Sequence, residues 1–232
     1  RTAEMPFAGH PNVGTGWVLA RDGRARDGVL RFEEIAGLVE VEAGADGVVT
    51  IAAPQPLALG EKMPVDLLAS CVGLSAADVV RERHDPVVAS VGNSFVIAEV
   101  TPAALGRAAP DLAAFRAALA AFPALGPRRL PLYLHARDGG GDGDGKAARL
   151  RARMFSPLSG TLEDAATGSA ATPLAALLLS LESRAEARFD IVQGVEMGRP
   201  SLLACGAWRA PDGVRARVGG QCVPVLSGEL TL

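Results

Sequence analysis

Residues 161–179 hold the side chains best suited to chemistry on a small molecule. Two adjacent acids lead through the hydroxyls of Thr167 and Ser169 into an apolar segment that is too long for a typical strand. A helix that is apolar on every side lies in a core, so its N-terminus is expected at a cleft. The unpaired amides and the positive dipole end of that terminus favour an anion. The segment therefore predicts an anion site with acids and hydroxyls beside it.

Residues 4–20 form a weaker copy of this pattern, because they run from an acid through small residues into a second apolar segment. Pro11 suits the first helical position, where its missing N–H needs no partner. The residue before a proline favours extended angles, as an N-cap requires. His10 is therefore expected at the mouth of this helix. Two such units predict a duplicated fold whose helix mouths face each other across a shared cleft.

Four blocks of sequence resemble the phenazine-biosynthesis isomerase family, and they lie in the family's order across almost the whole chain. They are Glu-Met-Pro-Phe-Ala-Gly-His-Pro at 4–11, Arg-Met-Phe-Ser-Pro-Leu-Ser-Gly with Glu-Asp-Ala-Ala-Thr-Gly-Ser-Ala-Ala at 153–160 and 163–171, Gln-Gly-Val-Glu-Met-Gly-Arg-Pro-Ser at 193–201, and Val-Gly-Gly-Gln-Cys-Val-Pro-Val-Leu-Ser-Gly-Glu-Leu at 218–230. The founding activity of this family is the isomerisation of trans-2,3-dihydro-3-hydroxyanthranilate by a proton shift, without a cofactor.

The resemblance implies an α+β fold of the diaminopimelate-epimerase type. Such a fold has two lobes, each a curved, mostly antiparallel sheet or barrel around a central helix, with the active site between them. We expect the first lobe at 1–85, the second at 86–219 and a return strand to the first lobe at 220–232. The resemblance also implies a homodimer.

The candidate site combines both helix mouths. The expected catalytic residues are His10, Asp164 and Ser169, and the expected substrate-binding residues are Gly9, Thr167, Gly168, Ala170 and Arg199. His10 is interpreted either as a structural N-cap or as a hydrogen-bond donor and proton relay. In the family the aspartate that matches Asp164 contacts the substrate, although Asp164 could also cap a loop or pair with Arg199. Glu163 is expected behind Asp164, since adjacent side chains seldom reach the same ligand.

The small residues at the second helix mouth have two interpretations. They could merely let the helix pack closely, or their N–H and hydroxyl groups could bind a carboxylate and stabilise charge as a proton leaves carbon. Such a donor contributes roughly 3–4 kcal/mol in enzymes where it has been measured. Ser169 is favoured as a donor, because its surroundings lack the nucleophile elbow of a serine hydrolase. Arg199 could hold the acids, bind the substrate's carboxylate or belong to a structural turn.

Two other functions stay open. In the family the main acid/base is a glutamate from a strand-rich segment ahead of the first motif, and this sequence begins at Arg1, directly before that motif. Either further residues supply that glutamate, or the chain is a relative that binds a ligand or dimerises without catalysis. Amino-acid epimerases of the same fold use two cysteines, and the matching residues here are Ala8 and Thr167. Since general acid–base groups contribute about 10²–10⁴-fold each, their loss argues against an epimerase.

The composition limits the remaining classes. The net charge is −3 and the 23 basic residues are scattered, so no nucleic-acid surface is expected. Three cysteines without a Cys-x-x-Cys pair favour buried thiols in a reducing compartment over disulfides or a zinc site. No segment has the length of a membrane span or the form of a secretory leader. We therefore expect a cytoplasmic enzyme with no metal, cofactor, nucleic-acid or membrane partner that acts on a small carboxylate.

The coarse secondary structure follows from turn signals and apolar runs. Helices are expected at 10–21, from 102 onwards and at 111–122, and strands at 30–42, 48–53, 87–91, 94–100, 130–136, 148–155, 187–192, 202–208 and 222–226. The passage at 54–60 is expected to be irregular, and the crossing between lobes is placed at 84–86. His84 is expected at the surface and His135 in a strand. The Asp-Gly-rich segment 138–146 lacks the closing glutamate of an EF-hand loop and predicts a mobile surface hairpin.

Overall fold

The computed structural model describes residues 4–126, 129–139 and 147–228. The helices within these residues are α1 (His10–Arg21), α2 (Val65–Cys71), α3 (Pro102–Arg107), α4 (Leu112–Ala121) and α5 (Gly168–Ser180). The strands are β1 (Val29–Glu34), β2 (Gly37–Ala43), β3 (Val48–Ala52), β4 (Ala58–Lys62), β5 (Val79–Val80), β6 (Val87–Ser90), β7 (Ser94–Val100), β8 (Leu132–Arg137), β9 (Ala148–Ser156), β10 (Thr161–Asp164), β11 (Glu186–Gln193), β12 (Ser201–Ala210) and β13 (Gly213–Gln221).

The strands join into one mixed sheet in the order β1-β2-β3-β13-β12-β11-β9-β8-β7-β6-β4, with β10 on β9 and β5 on β7. Only the β9–β11 and β7–β8 pairs are parallel among the described strands. The pairing of β13 with β3, in which Val218 lies opposite Ile51, connects the start of the chain to its end. The structure confirms the expected α+β class with a mostly antiparallel sheet.

Helix α5 is the centre of the larger hydrophobic core. Twelve of its thirteen residues are buried, and they pack against side chains from both ends of the sheet, such as Val41, Ile97 and Val218. A fully buried leucine contributes about 1.5–3 kcal/mol, so this wholly apolar segment is stable only where the sheet curves around it. The prediction of a core helix is confirmed. A second core under α2, α3 and α4 covers the other face of the later strands.

Helix α1 is less buried than α5. It lies against β1, β2 and β3, and Asn12 and Gly16 are its only buried residues. Gly16 permits a close approach, because a Cβ there would lie 2.4 Å from a methyl group of Val41. Val18 on the opposite side is 50% exposed. The two helices therefore share a sequence pattern but differ in burial.

Several smaller expectations were wrong. The strand predicted at 222–226 is absent, since the last described strand ends at Gln221 and the residues from Cys222 to Gly228 belong to no strand. Pro224 explains this, because a proline cannot donate to a sheet ladder. The passage at 54–60 leads into β4, an exposed strand at the sheet edge. The division into lobes stays a prediction, and most of the segment 138–146 lies outside the described residues.

Candidate functional site

The N-termini of α1 and α5 touch each other. A Cβ on Gly9, the N-cap of α1, would lie 2.6 Å from the backbone nitrogen of Ser169 and 2.7 Å from the Cα of Gly168. Conversely, a Cβ on Gly168 would lie 3.2 Å from the Cα of Gly9. Only glycines allow two backbones to approach this closely. The structure thus brings together the two helix mouths that the sequence pattern predicts, and we call this contact the junction.

Three backbone donors at the junction have no partner among the described residues. The carbonyl of Gly9 accepts from the amides of Asn12 and Val13, whereas no acceptor in the described chain pairs with the N–H of His10, Gly168 or Ser169. Neither helix has a side-chain cap at its start. Two positive dipole ends with free amides therefore meet at one place, which favours an anion there.

Asp164 is held beside the junction by Thr167. The Thr167 hydroxyl donates to Oδ2 of Asp164 at 2.7 Å and accepts from Nε2 of Gln193 at 2.9 Å. Because this hydroxyl has one proton, the amide contact commits that proton to Asp164. The carboxylate keeps its other oxygen for a further donor, such as an amino or hydroxyl group. Asp164 is thus interpreted as an acceptor and not as the partner of Arg199.

Gln193 is a site residue that the sequence reasoning missed. Its side chain is fully buried, and Oε1 accepts from the Tyr133 hydroxyl at 3.1 Å and the Thr167 amide at 3.2 Å. Its Nε2 also donates to the Asp164 carbonyl at 2.8 Å. Burial raises the pKa of Tyr133 well above its ordinary value, so this phenol donates and fixes the orientation of the amide. The sequence did contain a signal for Gln193. This residue opens the block at 193–201 and stands at the end of β11, a strand in which buried and more exposed residues alternate.

Glu163 is occupied by Arg153. Both oxygens of Glu163 accept from this guanidinium at 2.8 Å, and its third nitrogen donates to the carbonyls of Leu105 and Ala108 at 2.9 and 2.7 Å. The Arg153 side chain is 7% exposed. Such a bidentate, enclosed pair leaves Glu163 no free oxygen for a ligand. The two adjacent acids therefore differ. Both oxygens of Glu163 are paired with Arg153, whereas Asp164 keeps one oxygen free for a ligand at the junction.

The remaining candidates are distributed unevenly around the junction. His10 is exposed at the first turn of α1, one position inside the helix and not at its N-cap, and it makes no cap hydrogen bond. Ser169 is 2% exposed and lies in the first turn of α5. Ala170 faces the core with its N–H bonded to the Thr167 carbonyl, so it offers no group to a substrate. Arg199 is exposed and does not contact either acid.

The cysteines have no part in the junction. Cys71 and Cys205 are buried, and burial raises the pKa of Cys71 to about 12 and that of Cys205 further. A thiol nucleophile needs the opposite shift. The surroundings of these residues therefore give no support to thiol-based epimerisation, in agreement with the absence of cysteine at Ala8 and Thr167.

The junction itself is buried, and its neighbours are more accessible. Gly9, Gly168 and Ser169 are buried, whereas His10 is exposed and Asp164 is half-buried. Two shallow hollows of about 240 and 420 Å³ lie elsewhere, against Trp208 and Thr50 respectively. Neither is lined by a junction residue. The shared cleft that the sequence predicts stays a prediction.

The close backbone contact at the junction can be tested by adding one methyl group. Gly9→Ala is expected to lower the free energy of unfolding by about 1–3 kcal/mol, because the new Cβ meets backbone atoms that cannot rotate away. Gly14→Ala in the same helix is the matched control, since its Cβ would meet nothing within 4 Å and should be neutral or stabilising by up to about 1 kcal/mol. Urea denaturation measures both values. Equal effects would contradict a direct contact between the helix ends.

Comparison with known proteins places this site in a family. The sequence matches the phenazine biosynthesis-like proteins (PhzC-PhzF) over residues 1–228. The trans-2,3-dihydro-3-hydroxyanthranilate isomerase of Pseudomonas chlororaphis is 33% identical over 99% of this chain and 76% of that protein. A phenazine biosynthesis protein of the PhzF family from Bacillus anthracis has a solved structure with 21% identity and a TM-score of 0.76, over 94% of this chain and 74% of its own. A predicted epimerase from Pseudomonas aeruginosa has 30% identity and a TM-score of 0.69, over 94% and 72%.

The curved sheet around α5 and the junction define a protein of the diaminopimelate-epimerase-like fold. The chain belongs to the phenazine biosynthesis-like protein family, and the class of enzyme is isomerase. None of the described helices is both long and apolar enough to cross a membrane.

Proposed function

We propose that the protein is a cofactor-independent isomerase that moves a proton between carbons of a small, cyclic carboxylate similar to dihydro-hydroxyanthranilate. The contact between Gly9 and Gly168 is the observation that carries this proposal, because it concentrates two helix N-termini on one point. A carboxylate is the small organic anion that such donors suit. The name of the relative from Pseudomonas chlororaphis supports the class of substrate.

The roles of the side chains follow from their hydrogen bonds. The free amides at Gly168 and Ser169, together with the Ser169 hydroxyl, bind the carboxylate and stabilise charge that develops as a proton leaves carbon. Asp164 accepts from an amino or hydroxyl group of the substrate with the oxygen that Thr167 leaves free. His10 acts as a donor or proton relay from the solvent side. The proton that leaves one carbon returns to another, so the reaction needs acid–base groups but no oxidant or reductant.

The experiment is isomerisation in deuterated water. The full-length protein is incubated with trans-2,3-dihydro-3-hydroxyanthranilate and with related cyclic carboxylates, and proton NMR follows the carbon-bound hydrogens. We expect an isomer that carries deuterium on carbon. If the full-length protein forms no isomer and incorporates no deuterium with any of these compounds, the proposal is wrong.

His10→Ala is expected to slow this exchange about tenfold. One hydrogen bond contributes about 1.4 kcal/mol, and this energy corresponds to a tenfold change in rate. The effect is modest because His10 is exposed, so water can replace part of its function. Thr15→Ala, on the exposed side of the same helix, is the control and should keep the wild-type rate. An unchanged rate in His10→Ala would remove this residue from the site.

Three expected features remain proposals. The homodimer rests on the family resemblance, the cytoplasmic location on the composition, and the contact between Arg199 and the substrate's carboxylate on the position of Arg199 in its sequence block. Light scattering coupled to size-exclusion chromatography tests the first directly. A monomer at micromolar concentration would contradict it.

A further inference from the structure

Two histidines and a glutamate form a buried cluster away from the junction. His84, Glu99 and His135 are 9%, 5% and 0% exposed. One ligand atom from each can be chosen so that all three lie within 4.8 Å of one another. Within residues 4–126, 129–139 and 147–228 this is the one group of three or more such side chains with this spacing. His84 was expected at the surface, and this expectation was wrong.

The sheet places two of these side chains side by side. Glu99 in β7 lies opposite His135 in the parallel strand β8. Both residues share the face of Ile97 and Tyr133, which belongs to the core around α5. His84 comes from the connection between β5 and β6. Two strands and one connecting segment therefore converge on the same buried point.

The hydrogen bonds define the state of His84. Its Nδ1 lies 2.9 Å from the carbonyl of Asp85, and a carbonyl only accepts, so this nitrogen carries the proton. The Nε2 of neutral His84 is then a lone pair, and it points at Nε2 of His135 at 3.2 Å. A ring nitrogen fixed by a backbone carbonyl on its far side is the usual arrangement of a metal-binding histidine.

A hydrogen bond between the two rings leaves polar atoms without partners. Nδ1 of His135 has no partner in the described chain; it is a lone pair when Nε2 donates to His84 and an N–H when Nε2 binds a metal, so it does not distinguish the two arrangements. Oε2 of Glu99 is likewise buried without a partner. Buried atoms of this kind are costly. Because Nδ1 of His84 carries the proton that the Asp85 carbonyl accepts, its Nε2 is free to act as a ligand.

The spacing suits a tetrahedral metal. Two nitrogens at 2.0–2.1 Å from zinc in a tetrahedral site are separated by about 3.3–3.4 Å, close to the 3.2 Å between the two Nε2 atoms. The third ligand atom, from the Glu99 carboxylate, lies within 4.8 Å of both chosen histidine atoms. Two nitrogens and one oxygen favour zinc or a similar transition metal over calcium or magnesium, which prefer oxygen ligands.

We propose that His84, Glu99 and His135 bind one divalent transition-metal ion of the zinc type. Two nearby positive charges disfavour a bound cation. Nε of Arg137 lies 3.7 Å from Glu99, and Arg83 directly precedes His84. Arg83 is itself paired with Glu182 at 3.0 Å, which offsets its charge. The Glu99 carboxylate supplies the charge that the ion needs.

The ion has a structural role. Arg83 contacts Glu182 just beyond the end of α5, whereas the junction lies at the start of α5, and a helix of thirteen residues spans about 20 Å. The ion would therefore hold the segment around His84 against β7 and β8. The crossing between the lobes is expected at this segment. This inference is independent of the proposed function, because it involves no junction residue.

The test is metal binding by the full-length protein without a histidine tag. Protein freed of metal by a chelator is titrated with zinc, and cobalt serves as a spectroscopic probe of tetrahedral geometry. We expect one equivalent of bound zinc, a melting temperature that rises with zinc and falls again with chelator, and the visible absorption of tetrahedral cobalt. If the wild type binds no zinc and its melting temperature does not respond, the cluster is only a hydrogen-bonded histidine pair and the proposal is wrong.

Variants locate the ion. His84→Gln and Glu99→Gln are expected to weaken zinc binding more than about 100-fold, since loss of even an outer hydrogen-bond partner of a ligand costs 10–100-fold. Glu99→Gln keeps the size of the side chain, so it remains informative if His84→Gln does not fold. His10→Ala and Cys222→Ser remove the exposed histidine and the least buried cysteine and should bind zinc as the wild type does. Loss of binding in these two variants alone would overturn the assignment.

Discussion

Asp164→Asn is expected to lower kcat/KM for isomerisation about 10–100-fold, the effect of losing one hydrogen bond to a charged group, with little change in stability. The asparagine keeps the size of the side chain, and its oxygen can still accept from Thr167, as Oδ2 does at 2.7 Å. Its NH₂ group would then occupy the position of the free carboxylate oxygen. A donor would therefore face the substrate where an acceptor stood before. Steady-state kinetics measures the loss, and urea denaturation checks the fold.

The division of this loss between kcat and KM reports how Asp164 acts. A rise in KM alone means that Asp164 binds substrate and transition state equally, whereas an equal fall in kcat and kcat/KM means that its contact forms only in the transition state. Asp22→Asn removes a charge at an exposed position after α1 and should leave both constants unchanged. Wild-type kinetics in Asp164→Asn would place the substrate elsewhere.

The centre of the fold and the junction could be predicted from local sequence. An uninterrupted apolar segment after small residues fits only a helix buried on every side, and α5 has that environment. Gly9 and Gly168 each stand where such a helix begins, so the repeated pattern predicted two helix mouths. That they touch depends on packing between distant segments. The pattern indicated the facing ends, but only the structure shows that a Cβ on Gly9 would lie 2.6 Å from the Ser169 nitrogen.

The side chains that support the site could not be predicted in the same way. Arg149, Arg151 and Arg153 alternate along β9 as an exposed face would, yet they are exposed, half-buried and buried in turn. Arg153 is buried because it reaches Glu163 and the carbonyls after α3. Gln193 likewise meets Asp164 across 29 residues of sequence. The periodicity of a strand predicts which face of the sheet a residue occupies, but it does not predict which residue it contacts there.

His84 shows the same limit in a loop. A single histidine before an Asp-Pro pair has no periodic context, so a surface position was the default expectation. Its burial follows from the register that sets Glu99 beside His135 and from the connection that brings the His84 ring against His135. Strand register is a tertiary property, and therefore a cluster assembled from three separate segments has no signature in the sequence.

Glu163→Ala is expected to lower the free energy of unfolding by about 3–5 kcal/mol, because it leaves the Arg153 guanidinium buried without its main counterion. The pair is 7% and 15% exposed. Glu196 lies 3.9 Å from Nε of Arg153 and offsets part of this loss, so a value near the lower limit is expected. Urea denaturation gives the midpoint and the slope, and an unchanged slope shows that the loss is one of stability.

An exposed ion pair provides the matched control for Glu163. Arg31 and Glu40 are joined at 3.0 Å with side chains 61% and 50% exposed, so Glu40→Ala should cost less than about 1 kcal/mol. Arg153→Met should be at least as destabilising as Glu163→Ala, because it also removes the donors to the carbonyls of Leu105 and Ala108. If Glu163→Ala is instead as stable as the wild type but inactive, then Glu163, and not only Asp164, contacts the substrate. Glu163 and Asp164 would then both contact the substrate. Their hydrogen bonds predict instead that Glu163 stabilises the fold and that only Asp164 takes part in catalysis.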